Sequence, residues 1–62
     1  MISVRANPNI QKWFQVFSFG KFIDEFQRES KAIRVAELLA KQNNHDVINV
    51  NGNARKVKSR QT

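Results

Sequence analysis

A chain of 62 residues with no cysteine, one histidine, and 11 Lys and Arg against 5 Asp and Glu excludes a good deal before any motif is read. It has room for one small domain near the lower limit of unaided folding, no disulfide, and too few soft ligands for a structural zinc centre. Its stability is expected from packed aliphatic and aromatic side chains, or from association into a homodimer.

The formal net charge of +6 is unevenly spread. All five acids lie between Asp24 and Asp46, the first 23 residues carry Arg5, Lys12 and Lys21, and the last 16 carry Arg55, Lys56, Lys58 and Arg60. Purely basic ends suit a polyanion or an acidic protein surface, and they also serve solubility. There is no basic flank followed by a long apolar run, so the chain is expected to be cytoplasmic and unprocessed, with no membrane partner.

From the N-terminus, Ile2, Val4 and Ala6 alternate with Ser3 and Arg5, the period of a half-buried strand over Met1 to Ala6. Asn7-Pro8-Asn9 is turn chemistry, because proline fixes φ and asparagine tolerates unusual backbone angles. Gln11 to Phe19 is aromatic and β-branched enough for a strand, with Phe14, Val16 and Ser18 on one face and Trp13, Gln15, Phe17 and Phe19 on the other. Both faces are partly apolar, which predicts an interior strand. Gly20-Lys21 suits a type II′ turn, and Phe22 to Phe26 brings the chain back.

Ser30 to Gln42 carries a helical apolar pattern. Ala32, Ala36 and Leu39 centre the face, with Ile33 and Ala40 on one flank, Val35 and Leu38 on the other, and Arg34, Glu37 and Lys41 as a polar strip. Asp24 with Gln27 has the spacing of an early capping box and Ser30 offers a later cap. A start near Arg28 to Ser30 is preferred, because the earlier one consumes Phe22 to Phe26 and strips the aromatic strand of its partner. Asn43-Asn44 stops the helix, since asparagine accepts the left-handed conformation there.

Asn51-Gly52 between Asp46 to Val50 and the following basic run is a strong hairpin signal, with Val47 and either Ile48 or Val50 expected inward. The predicted architecture is α+β, in the order β-β-β-α-β-β: a small antiparallel sheet with one helix packed across one face. The domain is expected over residues 1–57, followed by a basic disordered tail over 58–62.

Trp13-Phe14-Gln15-Val16, Phe26, the helix from Lys31 to Lys41, and the closing Asn51-Gly52-Asn53-Ala54-Arg55-Lys56-Val57 together resemble DUF2188, a family of small bacterial and phage proteins. The resemblance covers roughly residues 12 to 58. It implies a tryptophan-bearing strand, a hairpin, a helix and a strand running into a glycine turn. It implies no chemistry. Two features depart from the family: Arg28 and Lys31 stand where it carries a Ser or Thr cap and a Glu, and Asn49 precedes the turn where it tends to have His.

No catalytic constellation is legible. His45 lies in the polar run Asn-Asn-His-Asp with only Asp46 beside it, Asp24-Glu25 lacks a partner carboxylate, and Gly20 and Gly52 stand alone rather than in a phosphate loop. The chain is therefore read as non-catalytic, with no cofactor and no metal. The aromatic residues interleaved with Lys12 and Lys21 have two readings, a platform for stacked bases or simply the core of a small domain. A second apolar sheet face would equally serve a homodimer contact. The basic C-terminal run is either a phosphate-binding arm or a solubility tail. The concrete functional expectation is weak, sequence-tolerant nucleic-acid binding by Lys12, Trp13, Phe17, Lys21, Arg55, Lys56, Lys58 and Arg60. The alternative is an interaction module, phage-encoded or homodimeric, that binds an acidic protein.

Overall fold

The computed structural model describes residues 1–57. Strands β1 (Ile2–Ala6), β2 (Phe14–Ser18) and β3 (Lys21–Phe26) precede helix α1 (Glu29–Gln42), and β4 (Val47–Val50) and β5 (Asn53–Lys56) follow it. This is the expected α+β order, with the helix lying against one face of a five-stranded sheet. The expected tail over 58–62 lies outside the described residues.

The strand order is β3-β2-β1-β4-β5, so β1 is the middle strand and β2 is interior, as the two-faced apolar pattern predicts. Four antiparallel neighbours were expected, but one joint is parallel: β1 runs alongside β4 with Val4 opposite Val50. The topology requires it. Two successive reversals make β3 run in the direction of β1, and α1 then carries the chain back to the end from which both strands start. β4 enters at that end and runs the same way.

The core is aliphatic. Ile2, Val4, Val16, Ile48 and Val57 from the sheet side meet Ala32, Ala36 and Ala40 of the helix, and Phe14, Phe26, Ile33, Leu39 and Val50 pack around them. Each buried Ile or Val stabilises by about 1.5–3 kcal/mol relative to exposure, and the alanines let the helix approach the sheet closely. Of the six aromatic residues, only Phe14 and Phe26 pack against this core, which departs from the reading of the rings as core. The helix is also rolled from its expected orientation. Ala40, placed on a flank by the pattern, is fully buried, whereas Leu38 is 53% exposed. The widest apolar arc extends beyond what the sheet covers, and the smallest side chains take the closest contact.

Ser30 lies inside the helix and does not cap it. Arg28 is the N-cap, with extended backbone and no side-chain cap bond, and Glu29 places a carboxylate in the first turn, where the helix dipole favours it. The C-terminus follows the asparagine signal. Asn44 is left-handed (φ 60), the His45 N–H donates to the Ala40 carbonyl at 2.8 Å, and the Asn44 N–H donates to that of Lys41 at 3.2 Å. No described helix is long and apolar enough to cross a membrane.

The hairpin turns correct two expectations. The first turn is Phe19-Gly20 rather than Gly20-Lys21. Both its residues have positive φ, 52° and 83°, which is the type I′ pattern and not type II′. β2 is shorter than Gln11 to Phe19, because Lys12 turns left-handed at φ 67 and pairing is limited before Phe14 to the Asn7 N–H donating to the Trp13 carbonyl at 2.8 Å. In the second hairpin, Ile48 and Val50 face the helix. Val47, expected inward, alternates to the opposite face.

Candidate nucleic-acid interface

With α1 on one side of the sheet, the other side carries no helix, and register decides what it displays. Phe22, Phe17, Ser3, Asn49 and Ala54 are successive cross-strand partners from β3 to β5, so they form one row across all five strands. Glu25, Gln15 and Arg5 form the neighbouring row. Val47 and Lys56 pair toward the far edge on the same face.

A β-bulge completes the row. Val16 opposes Asp24, and continued alternation would set Phe17 against Ile23 and turn Phe22 toward the helix. Instead Phe17 opposes Phe22, leaving Ile23 as the extra residue. That one-residue shift puts Phe22 beside Phe17, with ring centroids 5.8 Å apart and planes at 75°, an edge-to-face pair. Phe22 stays 51% exposed. The Arg5 guanidinium lies over the Phe17 ring at 4.8 Å and its Nε donates to Gln15 Oε1 at 3.0 Å, which holds the cation in place on the face.

The acids lie mostly on the helix side, and cations lie on both sides, with Lys31, Arg34 and Lys41 on α1. Glu29 and Glu37 are on the helix, and Asp24 has helix-side parity through its pairing with Val16. Among the described strand residues, Glu25 is the one carboxylate on the open face, and the Asn7 side-chain amide donates to it. Arg5 and Lys56 give that face its cations.

The expected site residues therefore separate. Phe17 and Lys56 share the open face. Arg55, opposite Ile48, has helix-side parity and lines a depression of about 300 Å³ between α1 and β5 with Glu29 and Ile33. Lys21 is exposed beside the Phe19-Gly20 turn and, opposite Ser18 and so in the row of Ile2, has helix-side parity. Lys12 is exposed in the loop before β2, and Trp13 beside it is half-buried. Lys58 and Arg60 lie outside the described residues.

Two residues of the face, Arg5 and Phe22, were not among the expected ones. The alternation of Ser3 and Arg5 against Ile2, Val4 and Ala6 already placed Arg5 on a solvent face, so its signal was present. For Phe22 there was none, because a bulge position leaves no mark in residue type. Comparisons with models of known families, with characterised proteins and with solved structures find no match for this chain.

Proposed function

We propose that this chain is a small, basic, non-catalytic cytoplasmic module that binds nucleic acid through the helix-free face of its sheet. The observation that carries the reading is the exposed Phe22 ring, set edge-on against a Phe17 that holds Arg5 over it, on a face whose one described carboxylate is engaged by Asn7. Rings offer stacking surface to any base, and lysine and arginine neutralise phosphates without reading sequence. Arg5 gives its Nε to Gln15 and lies over Phe17, which holds the guanidinium on the face with its Nη groups directed to phosphate oxygens in this reading. Binding is accordingly weak and tolerant of sequence.

The test is an amide NMR titration with oligonucleotides at low and moderate salt, on the parent protein and on Arg5→Gln/Lys56→Gln. Shifts are expected along Ser3, Arg5, Gln15, Phe17 and Phe22. Two to four phosphate contacts give a logarithmic salt slope of about −1.5 to −3. Shifts confined to the helix, or a double variant that binds as the parent does, would refute the assignment of this face.

A second reading is favoured by one observation, the exposure of Phe19 (59%) and Phe22 (51%). Exposed rings with nearby cations also suit an acidic protein surface or a second copy of the chain. Salt-sensitive binding to an acidic protein with no shifts from any nucleic acid would favour it, and sedimentation would detect the dimer.

A further inference from the structure

Resting on the nucleic-acid reading above, we infer that the ligand is single-stranded, and that its unpaired bases stack on Phe22 and Phe19 at the β2–β3 end of the sheet. Phe17 is poorly placed for stacking, since the Arg5 guanidinium covers it at 4.8 Å and Phe22 meets it edge-on. The exposed rings are Phe22 and Phe19, at 51% and 59%.

Phe19 carries the argument furthest. It holds φ 52 in a type I′ turn, a conformation that asparagine and glycine adopt readily and a bulky side chain resists. The same chain uses the favoured residues, Asn51-Gly52, for its other hairpin. Burial does not offset the strain, because the ring is mostly in solvent and its described aromatic contact is with His45, tilted by 55° at 5.4 Å. A strained residue with its apolar ring turned outward is not accounted for by packing, which is the ground for assigning it a binding role.

The polymer's form follows from shape and charge. Five strands span about 19 Å at the usual strand spacing, too broad for a major groove about 12 Å wide. A duplex would also hide the base faces that the two rings need. A single strand lays its bases on the rings, while Arg5 of β1, held over Phe17, meets its phosphates. Beyond the rings, Ser3 and Asn49 lead across the face toward Lys56.

The experiment compares oligouridylate and oligothymidylate with duplexes of matched length by fluorescence anisotropy, at one salt concentration, for the parent, Phe19→Asn and Phe22→Leu. Melting curves are recorded alongside. The parent is expected to prefer the single strands. Phe22→Leu should weaken them about tenfold with little change in melting, and Phe19→Asn should weaken them about tenfold while melting higher, since it creates the favoured Asn-Gly turn.

Duplex bound as tightly as single strand overturns the inference, and if Arg5→Gln/Lys56→Gln still weakens that duplex, the broader nucleic-acid reading survives. Phe19→Asn with full affinity, or with lower melting as well as lost affinity, removes Phe19 from the site. Polyglutamate bound as tightly as the oligonucleotides reassigns the face to an acidic protein. Binding of neither nucleic acid overturns both readings.

Discussion

The β2–β3 and β4–β5 hairpins close through nearly the same backbone, φ 52 and 83 at Phe19-Gly20 against φ 51 and 87 at Asn51-Gly52, and differ in almost everything built on it. Asn51 ties three elements together. Its N–H donates to the Val4 carbonyl at 2.8 Å, its Oδ1 accepts from the Ala6 N–H at 3.2 Å, and its Nδ2 donates to Glu29 Oε2 at 3.0 Å. The strands beside it contribute the fully buried Ile48. The other hairpin also supplies one fully buried residue, Val16 of β2, but its β3 carries the bulge at Ile23 and leaves Phe22 exposed, and its turn leaves Phe19 exposed. Both hairpins feed the core, but the Asn51 turn is fastened to the rest of the fold and the Phe19 turn displays its side chain. An identical turn geometry says nothing about which role a hairpin has; the side chains at its left-handed positions do.

Paired substitutions separate the positions that fasten the fold from those that face solvent. The largest difference is expected between Ile48→Ala and Ile23→Ala. The first opens a cavity in a core with little to spare and should cost about 2–5 kcal/mol in urea unfolding, whereas Ile23, 41% exposed at the bulge, should cost less than about 1 kcal/mol. Equal losses would mean that the bulge position Ile23 bears as much of the core as Ile48.

Writing the first turn into the second, as Asn51→Phe, comes next. It removes the hydrogen bonds to Ala6 and Glu29 and introduces a bulky left-handed residue, together costing about 2–3 kcal/mol by thermal unfolding. A variant as stable as the parent would show that the Asn51 contacts are incidental.

The smallest effect is also the sharpest control. Gly20→Ala and Gly52→Ala each place a Cβ where no heavy atom lies within 4 Å, at φ +83 and +87. The cost is then conformational alone, about 1 kcal/mol, and the same in both turns. Unequal losses would show that the two backbones are not equivalent, and that the contrast between Phe19 and Asn51 has another origin.

Much of the fold was legible because it is written in local preferences. Asn-Gly specifies a type I′ turn through the left-handed tolerance of two residues, Asn44 ends the helix by the same tolerance, and the spacing of Ala32, Ala36 and Ala40 brings them onto one side of it. The candidate site was less legible. Phe17 and Lys56 were expected and share the open face, but Arg55 turns to the helix side because it opposes Ile48, and Phe22 reaches the face through the bulge. Side-chain direction in a strand changes with every residue, so a one-residue irregularity reassigns a ring that composition alone counts correctly.

By itself, then, the sequence determined the number, kind and order of the elements, the aliphatic supply of the core, and the separation of basic ends from an acid-bearing middle. Those depend on residue types and spacings within a few positions of one another. Tertiary structure alone decided the parallel joint of β1 and β4, the roll of the helix onto its alanines, and which rings meet on the open face. Each of these depends on how distant segments align, and alignment between segments is a property of the whole packed chain rather than of any stretch within it.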